Sequence, residues 1–288
     1  MKRSILISKY SDHLIFRNYS KNTVSAYIKV LNNFFDFCSD HSDNEETVIE
    51  YAKMFLTDLF SQGLSWSTVN VNYSAIRILC IHIMDIAWDY KLVPRPRGRR
   101  TLPSVLSGRQ IETMINQMDN VKHKSIILLL YSSGIRISEL IALRVSNVLV
   151  DRNQLRIVNG KGSKDRIVDI PERAMKLLIY YMKEYQPKTM LYEGHRKGER
   201  YSRSSVRKII SRAGQRAEVL FRPTPHSFRY AYATHHLEVG TNLVVLQHQL
   251  GHSHLKTTLE YIKLCKTRSQ KLNHPTDLLK LDLPTETI

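Results

Sequence analysis

Cysteine is scarce in this chain: Cys38, Cys80 and Cys265 lie far apart and form no CxxC pair. Neither a disulfide framework nor a thiolate zinc site can be drawn from them, and a reducing compartment is the default expectation. Long apolar runs are missing as well. The longest, Ile126 to Tyr131, falls far short of a membrane span, and the start MKRSILISKY lacks an apolar stretch of signal-peptide length. The chain therefore reads as cytoplasmic, with no membrane partner. It contains no GxxxxGK[ST] phosphate loop and no HExxH helix, which argues against nucleotide hydrolysis and zinc proteolysis. The expectation is chemistry with no cofactor and no metal.

Acidic residues are also in short supply. The 26 Asp+Glu face 43 Lys+Arg, a net charge of +17 in a chain that is still 42% hydrophobic. Such a composition folds rather than staying disordered. A positive field of that size points to a polyanionic partner, nucleic acid ahead of an anionic membrane surface. The 288 residues are enough for about two units, each able to bury its own core.

The first ninety or so residues are helical in period. After the capping types Asn22 and Thr23, apolar side chains recur at Val24, Tyr27, Ile28, Leu31, Phe34, Phe35 and Cys38, the i, i+3, i+4, i+7 pattern of one buried stripe. Val69, Tyr73, Ile76, Cys80 and Ile83 form a second stripe after Ser67, and a third helix is expected from about Glu45 to Phe60. Residues 1–93 thus read as a small helical bundle. The segment 94–105 holds PRPRGRRTLP, whose prolines, glycine and Arg95, Arg97, Arg99 and Arg100 suit no regular element. Two readings stand for it: a solvated hinge, or a basic strap lying on phosphates. Helical period resumes over 106–265, with Ser107 as a cap. It is interrupted at QLRIVNGKGSKDRIVDI, where β-rich flanks around a Gly-containing loop read as a hairpin. The fold class expected is mainly α with a small antiparallel β-sheet.

Seen singly, the polar residues of this second region invite ordinary explanations. Arg136, in SSGIRISEL, sits at a helix start and reads as a surface or ion-paired group. Lys161 and Lys164 read as loop charges of the hairpin. His226 and Arg229 follow Pro225 one helical turn apart, near the positive end of a helix dipole, a placement that suits an anion. His252 in QLGHSH reads as a turn histidine. Tyr261 lies in a stretch with Leu255, Leu259, Ile262 and Leu264, where a tyrosine is ordinarily core.

Their order changes the reading. GIRISEL, then GKGSKDR in a hairpin, then HSFR before AYATH, then LGH with Tyr261 beyond it together resemble the catalytic domain of the tyrosine recombinases, the phage-integrase and Xer-type family. SKNTVSAYIKVLNNFFDFC resembles a helix of that family's core-binding domain, so the resemblance spans essentially the whole chain. It implies a SAM-like core-binding domain over 1–93, a basic linker over 94–105 and a catalytic domain over 106–265. A tail over 266–288, with Leu278, Leu279 and Leu281, docks either on its own domain or on a neighbouring protomer.

Carried over, the resemblance makes Arg136 and Arg229 the arginines that grip a scissile phosphate and Tyr261 the nucleophile. His226 and His252 complete the pocket, and Lys161 is the general acid, with Lys164 as its nearby competitor. The implied reaction is site-specific cutting and rejoining of double-stranded DNA through a 3′-phosphotyrosyl link by a homotetramer on paired sites, with accessory proteins as further partners. Beside it stand a catalytically silent DNA-binding accessory protein and type IB topoisomerase-like relaxation. Arg203 and Arg207, with the polar face from Ser67 to Arg77, are candidates for DNA contact. The biological roles compatible with the family are dimer resolution, element integration or excision, integron-like integration and inversion. Two positions depart from the common pattern: Tyr230 after Arg229, and Ile262-Lys263 after Tyr261. Neither is expected to touch the attacking or gripping groups.

Overall fold

The computed structural model describes residues 2–41, 47–98, 103–158, 165–194, 196 and 198–265. The chain divides into two compact units, Met1–Thr101 and Leu102–Ile288.

The first unit holds α1 (Arg3–Phe16), α2 (Lys21–Asp40), α3 (Val48–Ser61) and α4 (Trp66–His82). The cap of α2 is Ser20 rather than Asn22 or Thr23: its side chain accepts from Thr23 N at 3.2 Å. Likewise Ser65, not Ser67, caps α4 by accepting from Thr68 N. In both cases the hydroxyl must stand three residues ahead of the amide it satisfies, so the helix begins a turn before its apolar stripe becomes visible. Helix α3 opens on a capping box between Thr47 and Glu50. Leu6, Tyr10 and Leu14 place α1 in the core, and the Tyr10 hydroxyl donates to the Ala75 carbonyl at 3.0 Å, fastening α1 to α4. Buried Phe34, Phe55, Tyr73, Leu79 and Trp88 centre this core.

The second unit continues with α5 (Gly108–Asn116), α6 (Val121–Ser133), α7 (Ile137–Leu140), β1 (Val148–Leu149), β2 (Gln154–Ile157), β3 (Arg166–Asp169), α8 (Glu172–Tyr185), α9 (Arg203–Arg216), α10 (Pro225–Glu238), α11 (Leu243–Leu250) and α12 (Leu255–Ile262). Its three strands form an antiparallel sheet in the order β1-β2-β3. Leu155 pairs with Val168, both fully buried, whereas Ile167 and Val158 face outward. The expected hairpin is therefore joined by a further strand, β1, too short to leave a periodic signal. Among the described residues no helix is long and apolar enough to cross a membrane.

Helix α10 is the hub of this unit, because Phe228, Arg229, Ala231, Tyr232, Ala233 and Thr234 are all buried. Helix α6 reaches it through a glycine. Gly134 ends α6 at φ 60°, and a Cβ there would lie 2.5 Å from Cδ1 of Tyr232. Only a residue without a side chain allows both the left-handed turn and the close approach.

Candidate active site

The turn at Gly134 delivers Arg136 to the head of α7 in an extended conformation, φ −76° and ψ 153°. The Arg136 backbone amide donates to Oε2 of Glu139 at 2.8 Å and its Nη1 donates to Oε1 at 2.9 Å. One carboxylate thus fixes both the backbone and the head group of this arginine. Nη2 makes a longer approach, 3.4 Å, to the Gly251 carbonyl. Burial alone would raise the Glu139 carboxyl. Hydrogen bonds and charge from Arg166, followed by those from Arg136, outweigh burial and hold it at about 2.

Arg229 is 2% exposed. A cation so deep in the protein is tolerated only when its donors are met, and here backbone carbonyls meet them. Nη1 donates to Gly134 O at 2.5 Å, and Nη2 donates to Leu250 O at 2.6 Å and to Nε2 of His252 at 2.8 Å. Burial, and then the charge of Arg136, push the guanidinium down to about 10, while Tyr261 and Glu139 act in the opposite sense. It therefore remains a cation at neutral pH. The capping box of Thr224 and Ser227, with Pro225 in the first turn, sets the start of α10 and hence the height of Arg229 along it.

His226 lies on the first turn of the same helix. Loss of water around its ring, and then the charges of Arg229 and Arg136, lower its pKa below the ordinary 6.5, so it is a neutral imidazole at pH 7. His252 follows Gly251, whose φ of 64° ends α11. Its Nε2 accepts from Arg229, so the neutral ring carries its proton on Nδ1, which lies 2.9 Å from Oγ1 of buried Thr258.

Tyr261 is 5% exposed. Its ring stacks on His252, with centroids 5.8 Å apart and planes 9° apart, and meets the Tyr230 ring edge-on at 5.5 Å. The expectation that Tyr230 stands clear of the attacking group is thus corrected: its ring is a wall for Tyr261 and also lies 5.7 Å from His226. The apolar stripe of α12 is not what the helix buries. Leu255, Leu259 and Ile262 are exposed, and Thr258 and Tyr261 face inward. Arg136, His226, Arg229, Tyr230, His252 and Tyr261 line one cavity of about 360 Å³ together with Gly251, Thr257 and Glu260.

Among the described residues no three His, Cys, Asp or Glu side chains gather as a metal site. Lys161 and Lys164 lie outside the described residues, as do Arg99, Arg100 and the tail over 266–288. Arg203 and Arg207 are exposed on α9, whose other face buries Val206, Ile209 and Ile210. Arg97 is exposed. Arg95 is tied to α4: Nε donates to Asn70 Oδ1 at 2.9 Å, and its guanidinium carbon sits 5.7 Å from the centre of the Tyr73 ring. Sequence reasoning passed over Glu139, Arg166 and Thr258. For Glu139 a signal existed, since it stands one helical turn after Arg136 in GIRISEL.

Residues 104–268 match the phage integrase family, and residues 6–90 match the phage integrase N-terminal SAM-like domain. The chain belongs to the phage integrase family, the tyrosine recombinases. It is similar to tyrosine recombinase XerD of Oceanobacillus iheyensis, 32% identical over 274 residues covering 88% of this chain and 91% of that protein. It is also 30% identical to a tyrosine recombinase of Thermosipho africanus over 268 residues, 89% of this chain and 94% of that one. In fold it resembles a lambda integrase dimer bound to a core site, TM-score 0.73 at 15% identity, covering 91% of this chain and 95% of that one. XerH recombinase bound to its difH substrate aligns with a TM-score of 0.71 at 20% identity, covering 88% and 79% of the two chains. As a tyrosine recombinase the chain is a site-specific DNA recombinase.

Proposed function

We propose that this recombinase breaks a DNA strand by attack of the Tyr261 hydroxyl oxygen on the scissile phosphorus. A 3′-phosphotyrosyl bond forms and the bond to the 5′ oxygen of deoxyribose breaks, with neither metal nor ATP. The observation that carries this reading is the convergence of Arg136, Arg229, His226 and His252 on Tyr261 in one cavity. The transition state gains negative charge on the non-bridging oxygens, and fixed guanidinium groups stabilise it by charge-assisted hydrogen bonds. His226, neutral at pH 7, takes the phenolic proton. Lys161, with Lys164 as its competitor, protonates the departing 5′ oxygen. Because the phosphoester survives in the covalent link, a 5′ hydroxyl from another strand reverses the step and reseals DNA.

Exchange between two duplexes needs four strand cuts, so the assembled species is a homotetramer on paired sites, with accessory proteins as further partners. In this reading the segment 266–288 docks on a neighbouring protomer. An apolar groove of about 750 Å³ lined by Leu128, Tyr131, Tyr232, Val239, Val245 and Leu246 offers a surface of the right character.

The test begins with selection of the bound site from a random duplex library, followed by a suicide duplex carrying that site. A denaturation-resistant protein–DNA adduct that persists in EDTA and is lost in Tyr261→Phe supports the reading. Binding with no adduct assigns an accessory role instead, and relaxation of supercoiled DNA without strand exchange assigns topoisomerase-like activity.

A further inference from the structure

Arg166 opens β3, two residues after Lys164 in the sequence. Its side chain is only 12% exposed, so a full positive charge has been taken largely out of water and must be met by the protein. Nη1 donates to Oε1 of Glu139 at 3.0 Å and Nη2 donates to Oε2 at 2.9 Å, a two-pronged pair; Nε donates to the Gln249 carbonyl at 3.0 Å. The guanidinium also lies against Gly251, where a Cβ would come within 2.9 Å of its atoms. Arg166 therefore holds three segments together: the end of the hairpin, the carboxylate on α7, and the turn that presents His252.

Glu139 is shared. Each of its oxygens takes one hydrogen bond from Arg166 and one from Arg136, the latter through Nη1 on Oε1 and through the backbone amide on Oε2. A buried carboxylate beside a phosphate-gripping arginine is a rival for that arginine. With Arg166 on both oxygens, the guanidinium of Arg136 meets the carboxylate through Nη1, while its Nη2 reaches toward the Gly251 carbonyl at 3.4 Å. Without Arg166, the whole charge of Glu139 would fall on Arg136, and the planar fork of Arg136 would close on the carboxylate as readily as on a phosphate. The low pKa of Glu139 has Arg166, ahead of Arg136, as its principal stabilising partner.

We propose that Arg166 is a positioning residue for strand cleavage: by neutralising Glu139 it frees Arg136 for the scissile phosphate. This rests on the reading of the cavity given above. The experiment measures the single-turnover rate of covalent adduct formation on the suicide duplex carrying the selected site, with DNA affinity by gel shift at fixed salt and folding by thermal melting. Arg166→Met slows adduct formation by roughly 10- to 100-fold, the range for loss of a charge-assisted contact, while affinity changes by less than about twofold, since Arg166 faces protein. Adding Glu139→Gln to Arg166→Met restores at least part of the rate, because no carboxylate charge remains to capture Arg136. A purely structural role for Arg166 makes the second substitution deepen the loss.

If the methionine variant does not fold, Arg166→Lys takes its place. It keeps the charge and loses the fork, and its smaller loss is again reversed by Glu139→Gln. An unchanged rate in the single variant, or a double variant no faster than the single one, overturns the assignment. A wild-type protein that forms no Tyr261-dependent adduct overturns the reading of the cavity and this assignment with it. A wild type that reacts beside an equally fast Arg166 variant overturns the assignment alone.

Discussion

The imidazole of His252 lies parallel to the ring of Tyr261, planes 9° apart and 5.8 Å between centroids, while Nε2 of the same imidazole accepts from Arg229 at 2.8 Å. One side chain thus faces the Tyr261 ring and occupies a donor of the buried cation. The two jobs are separable by substitution. His252→Phe keeps an aromatic face for Tyr261 and loses the nitrogen; His252→Ala loses both. The expected order of single-turnover adduct rates is wild type, then His252→Phe slower by about tenfold for one lost charge-assisted hydrogen bond, then His252→Ala slower still.

His226 has a pKa below 6.5 because burial and the charges of Arg229 and Arg136 disfavour its protonated form. If it is the base that accepts the phenolic proton, as proposed, it is competent above that pKa and disabled below it. The rate of adduct formation per unit of DNA concentration should fall in acid, with the midpoint of that fall below the ordinary imidazole value. His226→Gln should be slow throughout and lack that acid limb. A rate–pH series under subsaturating DNA checks both.

Glu139 contributes to stability through its depressed pKa. The folded carboxyl titrates at about 2 rather than at its ordinary 4.5, so its contribution is complete above about pH 5 and is lost as pH falls toward 2. Thermal melting across that window should show a stability loss that is smaller in Glu139→Gln, which is less stable at neutral pH because Arg136 and Arg166 lose their shared counter-ion.

Gly134→Ala combines a left-handed φ with a Cβ 2.5 Å from the Tyr232 ring. A cost above ~1 kcal/mol is expected, read as a fall in melting temperature of at least roughly 2–4 °C. Because the Gly134 carbonyl accepts from Arg229, the adduct rate should fall as well.

Arg203 and Arg207 project from α9 into solvent. If each neutralises a phosphate in the bound state, Arg203→Ala and Arg207→Ala each reduce the slope of log affinity against log salt by ~0.9. An unchanged slope with altered site preference would instead mark base contact.

Much of this protein is written locally. The helical stripes of α2 and α4, the hairpin flanks at Leu155 and Val168, and the glycine stops at Gly134 and Gly251 follow from side-chain type and spacing, because periodicity and backbone freedom act over one or two turns. The residue types of the site were legible too, since Arg136, His226, Arg229, His252 and Tyr261 stand in short recognisable strings. What the chain packs against lay beyond that reach. Apolar pattern marks Leu255, Leu259 and Ile262 as the natural inner face of α12, yet Tyr261 and Thr258 are the buried residues. Their neighbours on α10 and at His252 supply aromatic and hydrogen-bonding partners. Nor does any local signal announce that Arg166 would meet Glu139, or that Arg229 would be held by the carbonyls of Gly134 and Leu250. Buried charges are settled by whichever distant groups the fold brings within hydrogen-bonding range, and only the tertiary structure decides which those are.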